Sequence, residues 1–330
     1  MAHLHPSSAA TAQLSLDRVT DIAAVLPRWS ALAERSGNLF ATPEWLTCWW
    51  RHFGRGDAQL WLASADGEPR VLLPLYVEAG VLRFIGHGHS DVLGPVTEPR
   101  FRQAGAAILR QLLEDDRVAW TSFEGHDLPD DVPWATLTGA KVKRRTASPI
   151  LRLEGLDWDG YLASRSRNFR AQARARERRL APRGLRVRIC DDPAQLERDL
   201  DDLFELHLAR WGPRDARAVV DRGRTFFREV AAVALERGWL RLCILELDGR
   251  PAAALLNFRF GGEEWFYQGG RDPRFAREGP GFVLHLHAIR SAIRDGVRSY
   301  RFLRGDELYK RRFASDDAGV VTIVRHCDRP

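Results

Sequence analysis

Asp306, Glu307, Tyr309 and Lys310 bring two carboxylates, a phenol and an ammonium into one short stretch of this 330-residue chain. A phenol can hand a proton to a departing thiolate, a carboxylate can take one from an attacking amine, and an ammonium can steady a developing oxyanion. Lys310 is one of three lysines among 50 basic side chains, and a lysine kept in so arginine-rich a chain suits a compact cation or an amine able to lose its proton. Two roles fit Asp306 and Glu307: base or amine recognition, and capping of a short helix. Ordinary surface charges at an exposed helix start also fit the stretch. Thirty residues earlier, Arg274, Arg277, Gly279, Pro280, Gly281 and Phe282 lie between an aromatic strand and an amphipathic helix. Proline at a first helical position behind glycine leaves free backbone N–H groups beside two cations, and the helix dipole adds to their pull on an anion such as a phosphate. A glycine loop alone is also what ends any strand and starts any helix; the polar stretch one strand further on favours the ligand reading.

The elements that must position these groups read as follows. Phe282, Leu286, Ile289 and Ile293 share one helical face over Gly281–Asp295, and Ser299–Leu303 is a strand that opens into the Asp306–Arg312 helix. Upstream, the pattern gives a strand over Arg186–Cys190, helices over Pro193–Arg210 and Thr225–Arg237, and three strands over Trp239–Leu247, Pro251–Phe260 and Glu264–Gln268. The last strand is Gly319–His326. In the first half, helices cover Asp21–Glu34 and Pro43–Phe53, the second with Thr42 as cap and Pro43 as first residue. Gln59–Ala63 and Val71–Val77 form a hairpin around Asp66-Gly67, Phe84–Asp91 is a loop, Arg100–Leu113 a helix, and Ala119–Phe123 and Ile150–Leu153 strands. One long helix, Trp158–Leu180, joins the halves and ends at Pro182-Arg183-Gly184. The length predicts two domains, placed at 1–155 and 185–330 with the basic helix at 156–184 between them.

Several motifs together resemble the GNAT-type acetyltransferases. They are Leu206-His207 before Trp211, the turn at Asp248-Gly249-Arg250, Gly269-Gly270, Gly279-Pro280-Gly281, and Phe302-Leu303-Arg304-Gly305-Asp306-Glu307 with Tyr309-Lys310. Within them, the chain is similar to the bacterial CelD-like group of cellulose and exopolysaccharide biosynthesis, to whose N-terminal signature Phe40–Trp45, Trp49-Trp50 and Phe53 correspond. The phosphate loop of ordinary GNAT enzymes, Arg-x-x-Gly-x-Gly/Ala, is matched approximately by Arg277–Gly281. The group is also similar to the Fem peptidoglycan aminoacyltransferases, which carry two GNAT-like domains and take aminoacyl-tRNA. The resemblance implies an α/β (α+β) fold of tandem GNAT-like domains joined by the basic helix, the first half being a degenerate copy. It implies acyl-CoA as co-substrate at the Gly279–Gly281 loop and direct transfer to an amine. Tyr309 stands where many such enzymes hold a general acid, and Lys310 where the Fem-like group holds a lysine. The expected acceptor-binding residues are His207, Trp211, Gln268 and Arg304, with Arg167, Arg170 and Arg174 of the basic helix. An amino sugar or sugar nucleotide of surface polysaccharide synthesis is the implied acceptor, and the alternatives are an aminoacyl-tRNA-dependent transferase and a non-catalytic accessory binding protein.

Charge and composition narrow the partners. Ser164–Arg183 holds eight arginines and one glutamate, a local +7 in a chain whose total is +6, so the remainder carries −1. The chain is therefore not generally basic, and no DNA is expected; tRNA is expected only under the aminoacyl-tRNA reading. Arg167, Arg170, Arg174 and Arg178 make one stripe, which a solvated linker helix or an anionic partner would explain equally. Four scattered cysteines read as buried free thiols. No apolar run spans a membrane and no leader pattern precedes the first helix, so the expected location is the cytoplasm. His285 and His287 point about 200° apart on a helix, and His87 and His89 have no partner at ligand spacing, so no metal is expected. With no Gly-x-Ser-x-Gly elbow and no cysteine set to pair with a histidine, no acyl-enzyme is expected either.

Overall fold

The computed structural model describes residues 15–215 and 222–327. In the first half, β1 (Ser15–Arg18) is followed by α1 (Ile22–Ser36), α2 (Pro43–Phe53), β2 (Asp57–Ala65), β3 (Glu68–Glu78), β4 (Val81–Phe84), α3 (Arg102–Leu113), β5 (Ser122–Pro129), α4 (Trp134–Thr138), β6 (Lys141–Thr146) and β7 (Pro149–Arg152). Then come α5 (Trp158–Ala163), α6 (Arg167–Leu180), β8 (Arg186–Ile189), α7 (Pro193–Asp215), α8 (Arg222–Glu236), β9 (Leu240–Leu247), β10 (Arg250–Phe260) and β11 (Glu263–Arg271). The chain continues through α9 (Pro280–Arg294), β12 (Ser299–Arg301), α10 (Leu308–Phe313), β13 (Asp316–Asp317) and β14 (Val320–His326).

Local chemistry accounts for the boundaries. Thr42 Oγ1 accepts the Trp45 N–H at 3.3 Å with Pro43 in the first turn, as the sequence predicts. Asp66 and Gly67 both take left-handed φ, 53° and 77°, the geometry of a two-residue hairpin turn whose twist matches the strands. The predicted Trp158–Leu180 helix is in fact two. Ser166 breaks it by leaving helical geometry and accepting the Phe169 N–H at 3.2 Å, so the first three residues after α5 are a joint. The predicted Ala119–Phe123 strand lies further on, at Ser122–Pro129. The polar strand β6, exposed along nearly its whole length, carries no apolar alternation that would reveal it.

Among the described residues the strands make two seven-stranded sheets, ordered β1-β2-β3-β4-β5-β14-β6 and β13-β7-β12-β11-β10-β9-β8. The halves therefore exchange strands: β7 lies in the second sheet, and the last strand, β14, returns to the first between β5 and β6. Each sheet has one parallel pair, β4–β5 at Val81↔Ser122 to Arg83↔Glu124 and β11–β12 at Glu263↔Ser299 to Trp265↔Arg301. All other ladders are antiparallel. Beyond Trp265 and Arg301, β11 continues to Arg271 still paired with β10 but free on its other edge, because the chain after β12 turns away, which opens the second sheet on that side. One apolar core, including Trp29, Trp45, Tyr76, Phe204, Phe226, Phe258 and Trp265, runs continuously through both halves. Among the described residues no helix is long and apolar enough to cross a membrane.

Candidate active site

The opening beside β11 is closed at its outer end by the start of α9. Gly279 caps that helix in the left-handed conformation (φ 70°, ψ 55°) with no side-chain cap, and Pro280 follows. A Cβ on Gly279 would collide with Arg176 Nη1, so glycine serves here both for its φ and because the Arg176 guanidinium lies across it. A cleft of about 300 Å³ begins there, with Gly279, Gly281 and Phe282 on one side, Gly270 and Arg271 of β11 on another, and Tyr309, Arg312 and Phe313 of α10 on a third.

Four arginines, Arg176, Arg210, Arg271 and Arg312, line this cleft, and none has a carboxylate partner among the described residues. Burial and then Arg312, Arg179 and Arg271 push the Arg176 pKa down; burial and then Arg210 do the same to Arg271. Arg176 and Arg312 lie 5.0 and 5.2 Å from the centre of the Phe282 ring. Cations so gathered without compensation raise the energy of the folded chain and lower it again when a multiply charged anion binds. None of the four stands among the residues expected from the sequence. Arg176 has a signal there: it falls between Ala173 and Leu180 on the buried face of α6, opposite the Arg167/Arg174/Arg178 stripe.

Tyr309 lines the cleft. Burial pushes its phenol up to about 12, against an opposing effect of Arg210, whose guanidinium lies 5.1 Å from the ring centre and hydrogen-bonds the side chain. The phenol is thus protonated throughout the neutral range. His285, on the cleft wall, is fully neutral: burial, then Arg210 and Lys310, push it down to about 3. Asn257 Nδ2 donates to Tyr300 Oη at 3.1 Å, and the same hydroxyl hydrogen-bonds His285 Nδ1 at 3.2 Å. Because the unfolded chain takes up a proton on this imidazole between pH 6.5 and about 3 while the fold does not, stability is expected to fall as pH drops through this window. Melting curves of wild type and His285→Gln should show a shallower acid slope in the variant, the difference being at most about 1.4 kcal/mol per pH unit.

The other expected catalytic residues lie outside the cleft lining. Lys310 is buried, and its Nζ donates to the Arg304 carbonyl at 2.7 Å and pairs with Glu307 Oε2 at 3.0 Å, pinning the Arg304-Gly305 turn. Asp306 pairs with Arg311 in solvent; α10 starts behind Glu307 with no side-chain cap, so neither acid caps it. Lys310→Ala is expected to lower Tm and activity together, because the turn loses its anchor and Glu307 its partner; thermal denaturation beside an activity assay checks this.

Of the expected anion-loop residues, Arg274 turns away to Asp272, which it holds below the usual carboxylate range, and its side chain is 71% exposed. Arg277 touches α6 instead, its carbonyl accepting from Arg179 Nη1 at 3.4 Å. Of the expected acceptor residues, His207 is buried with Nδ1 donating to the Gly269 carbonyl at 3.1 Å, and Gln268 pairs with Leu256 across β10–β11. A Cβ on Gly270 would collide with the His207 backbone nitrogen, so this glycine lets α7 meet β11. Trp211 is partly exposed under Arg210, 4.4 Å from its ring centre. Arg304 lies at the seam between the sheets, donating to Asp127 at 2.6 Å and pairing with Asp91 at 3.2 Å; the seam also holds the Tyr267 Oη bond to the His89 carbonyl at 2.8 Å. Arg167 and Arg174 are exposed, whereas Arg170 donates to the carbonyls of Arg165 and Ala163.

Two sheets, each with one parallel pair, and a cation-lined cleft where one of them opens define a tandem acyltransferase fold. Residues 167–311 match the family model of the acetyltransferase (GNAT) domain. The fold is similar to that of FemX (TM-score 0.69, 13% identity, 95% of this chain and 98% of that one) and of L-PGS from Bacillus licheniformis (0.57, 13%, 85% and 90%). It is also similar to a tandem GNAT protein from the clavulanic acid biosynthesis pathway (0.51, 14%, 95% and 98%). No curated protein matches the chain in sequence. Residues 167–311 thus carry a GNAT-type acetyltransferase domain, and GNAT domains use acyl-CoA as co-substrate.

Proposed function

We propose that the α9 cleft binds the diphosphate and pantetheine of an acyl-CoA and that the acyl group passes to an amine held near the seam between the sheets. The observation that carries this reading is the set of four uncompensated arginines around an uncapped helix start. The acceptor amine attacks the thioester carbonyl, the C–N bond forms and the C–S bond breaks. Tyr309 gives its proton to the leaving thiolate, and the proton lost by the nitrogen passes to solvent and restores the phenol. An amino sugar or sugar nucleotide of surface or exopolysaccharide synthesis is the acceptor class, in a cytoplasmic enzyme read as 1–155 and 185–330 around the 156–184 basic segment. Gly281 has room for a side chain, its Cβ position being 3.7 Å from Arg271 Cδ. Gly281→Asp is therefore expected to fold and to bind CoA more weakly in isothermal titration; unchanged affinity would sink the reading.

The exposed arginines of α6 favour one second reading, an aminoacyl-tRNA donor. Arg167→Gln, Arg174→Gln and Arg178→Gln remove three positive charges from one face at little cost in helix propensity. Under the preferred reading CoA affinity barely changes. Under the second, tRNA binding falls and its salt dependence flattens by about one unit of slope for each phosphate no longer neutralised. Filter binding of bulk tRNA across salt, run beside CoA titration, separates the two.

A further inference from the structure

We propose that Cys48, His52 and Glu229 form a site for one divalent cation of borderline softness, Zn2+ or its analogue Co2+, clamping α2 to α8. Cys48 and His52 stand four apart on α2 and so share a face, and Glu229 meets them from α8. One ligand atom from each of the three lies within 4.8 Å of the others. Sulfur, imidazole nitrogen and carboxylate oxygen converging from two rigid helices, with a fourth position left for water, are the donors such a cation takes.

The surroundings are arranged as they are around metal ligands. Thr225 donates its hydroxyl proton to the Arg222 carbonyl at 3.0 Å and so offers His52 Nδ1, at 3.5 Å, a lone pair. His52 Nε2 faces Glu229 Oε2 only 2.6 Å away, the contact a cation would replace. A proton bridges the pair at that distance; a metal about 2.0–2.1 Å from each in tetrahedral geometry takes its place and needs the pair to open by about 0.7 Å. Arg51 holds the other Glu229 oxygen, fixing Oε2 as a single donor. These are the outer partners that orient a histidine and a carboxylate on a metal. The Cys48 thiol, which faces Glu229 and Arg51 and lies 3.9 Å from the Phe226 carbonyl, gives its proton to solvent as the sulfur–metal bond forms. Cys48 and His52 are four apart in the sequence, but their third partner, Glu229, lies far along the chain and only the fold brings it to them.

The site is independent of the acyl-transfer reading and is tested without it. The full chain, made without a metal-affinity tag and treated with chelator, is titrated with Zn2+ by calorimetry and with Co2+ by absorption. One equivalent should bind with Kd of about 1 μM or tighter, raise Tm with metal concentration, and give with Co2+ a thiolate charge-transfer band and tetrahedral d–d bands. Cys48→Ser should abolish the charge-transfer band and weaken binding at least tenfold, and Thr225→Val, which leaves all three ligands in place, should weaken it about ten- to a hundredfold. Absence of the charge-transfer band in wild type, no saturable binding, or unchanged affinity in Cys48→Ser overturns the proposal. If Cys48→Ser does not fold, the wild-type band and Thr225→Val decide it, an unchanged affinity in the latter counting against.

Discussion

Replacing Arg176 and Arg271 together by glutamine is expected to weaken CoA binding by roughly a hundredfold or more while leaving Tm unchanged or raising it. Each charge-assisted hydrogen bond to a phosphate contributes about 1.5–3 kcal/mol, so removing two together reaches at least that factor. The stability arm has the opposite sign because these two guanidinium groups repel each other and neither has a carboxylate partner. Removing them relieves strain that only a ligand otherwise relieves, the exchange of stability for function expected at a binding site. Titration calorimetry and thermal denaturation measure the two arms. A fall in affinity together with Tm would mean the arginines hold the fold, and affinity retained would move the donor elsewhere.

Tyr309→Phe is expected to lower kcat by roughly a hundredfold or more, the usual contribution of a general acid, with KM for the donor nearly unchanged. The ring packs 5.9 Å from His285 and under Arg210 whether or not it carries a hydroxyl, so Tm should hardly move. The sign of the pH dependence follows from burial. With the phenol pushed up to about 12, wild-type activity should show no alkaline loss attributable to this group below that pH. The buried phenol also makes stability fall as pH rises from 10 toward about 12, where the unfolded chain loses the proton first, and the Phe variant should lack that component. A variant with wild-type kcat would remove Tyr309 from the chemistry.

What can be read without coordinates is local. Glycine and proline at 279–281 mark a helix start wherever they occur, and Tyr309 follows a strand that follows that helix, so their meeting depends on consecutive elements alone. The arginines that give the cleft its charge come from four separate elements, α6, α7, β11 and α10; in so arginine-rich a chain none stands out by type. Arg176 alone is marked, as a cation on an otherwise apolar helix face. Lys310 stands out for its rarity, but a lysine beside a carboxylate reads the same whether it faces a substrate or, as here, a backbone carbonyl in the interior. β14 has the pattern of a strand and is one; the sheet it joins depends on a return across the molecule that periodicity does not record.

That return sets an order of events. Since β5 and β6 meet only through β14, a chain emerging from the ribosome must hold its first sheet open until residues 320–326 are free. β7 meanwhile waits beyond Arg152 for β12, which arrives more than a hundred residues later. Neither half can finish ahead of the other, so the molecule should fold late, slowly and as one unit, and cutting it at the joint between α5 and α6 should give two fragments that are soluble only when mixed.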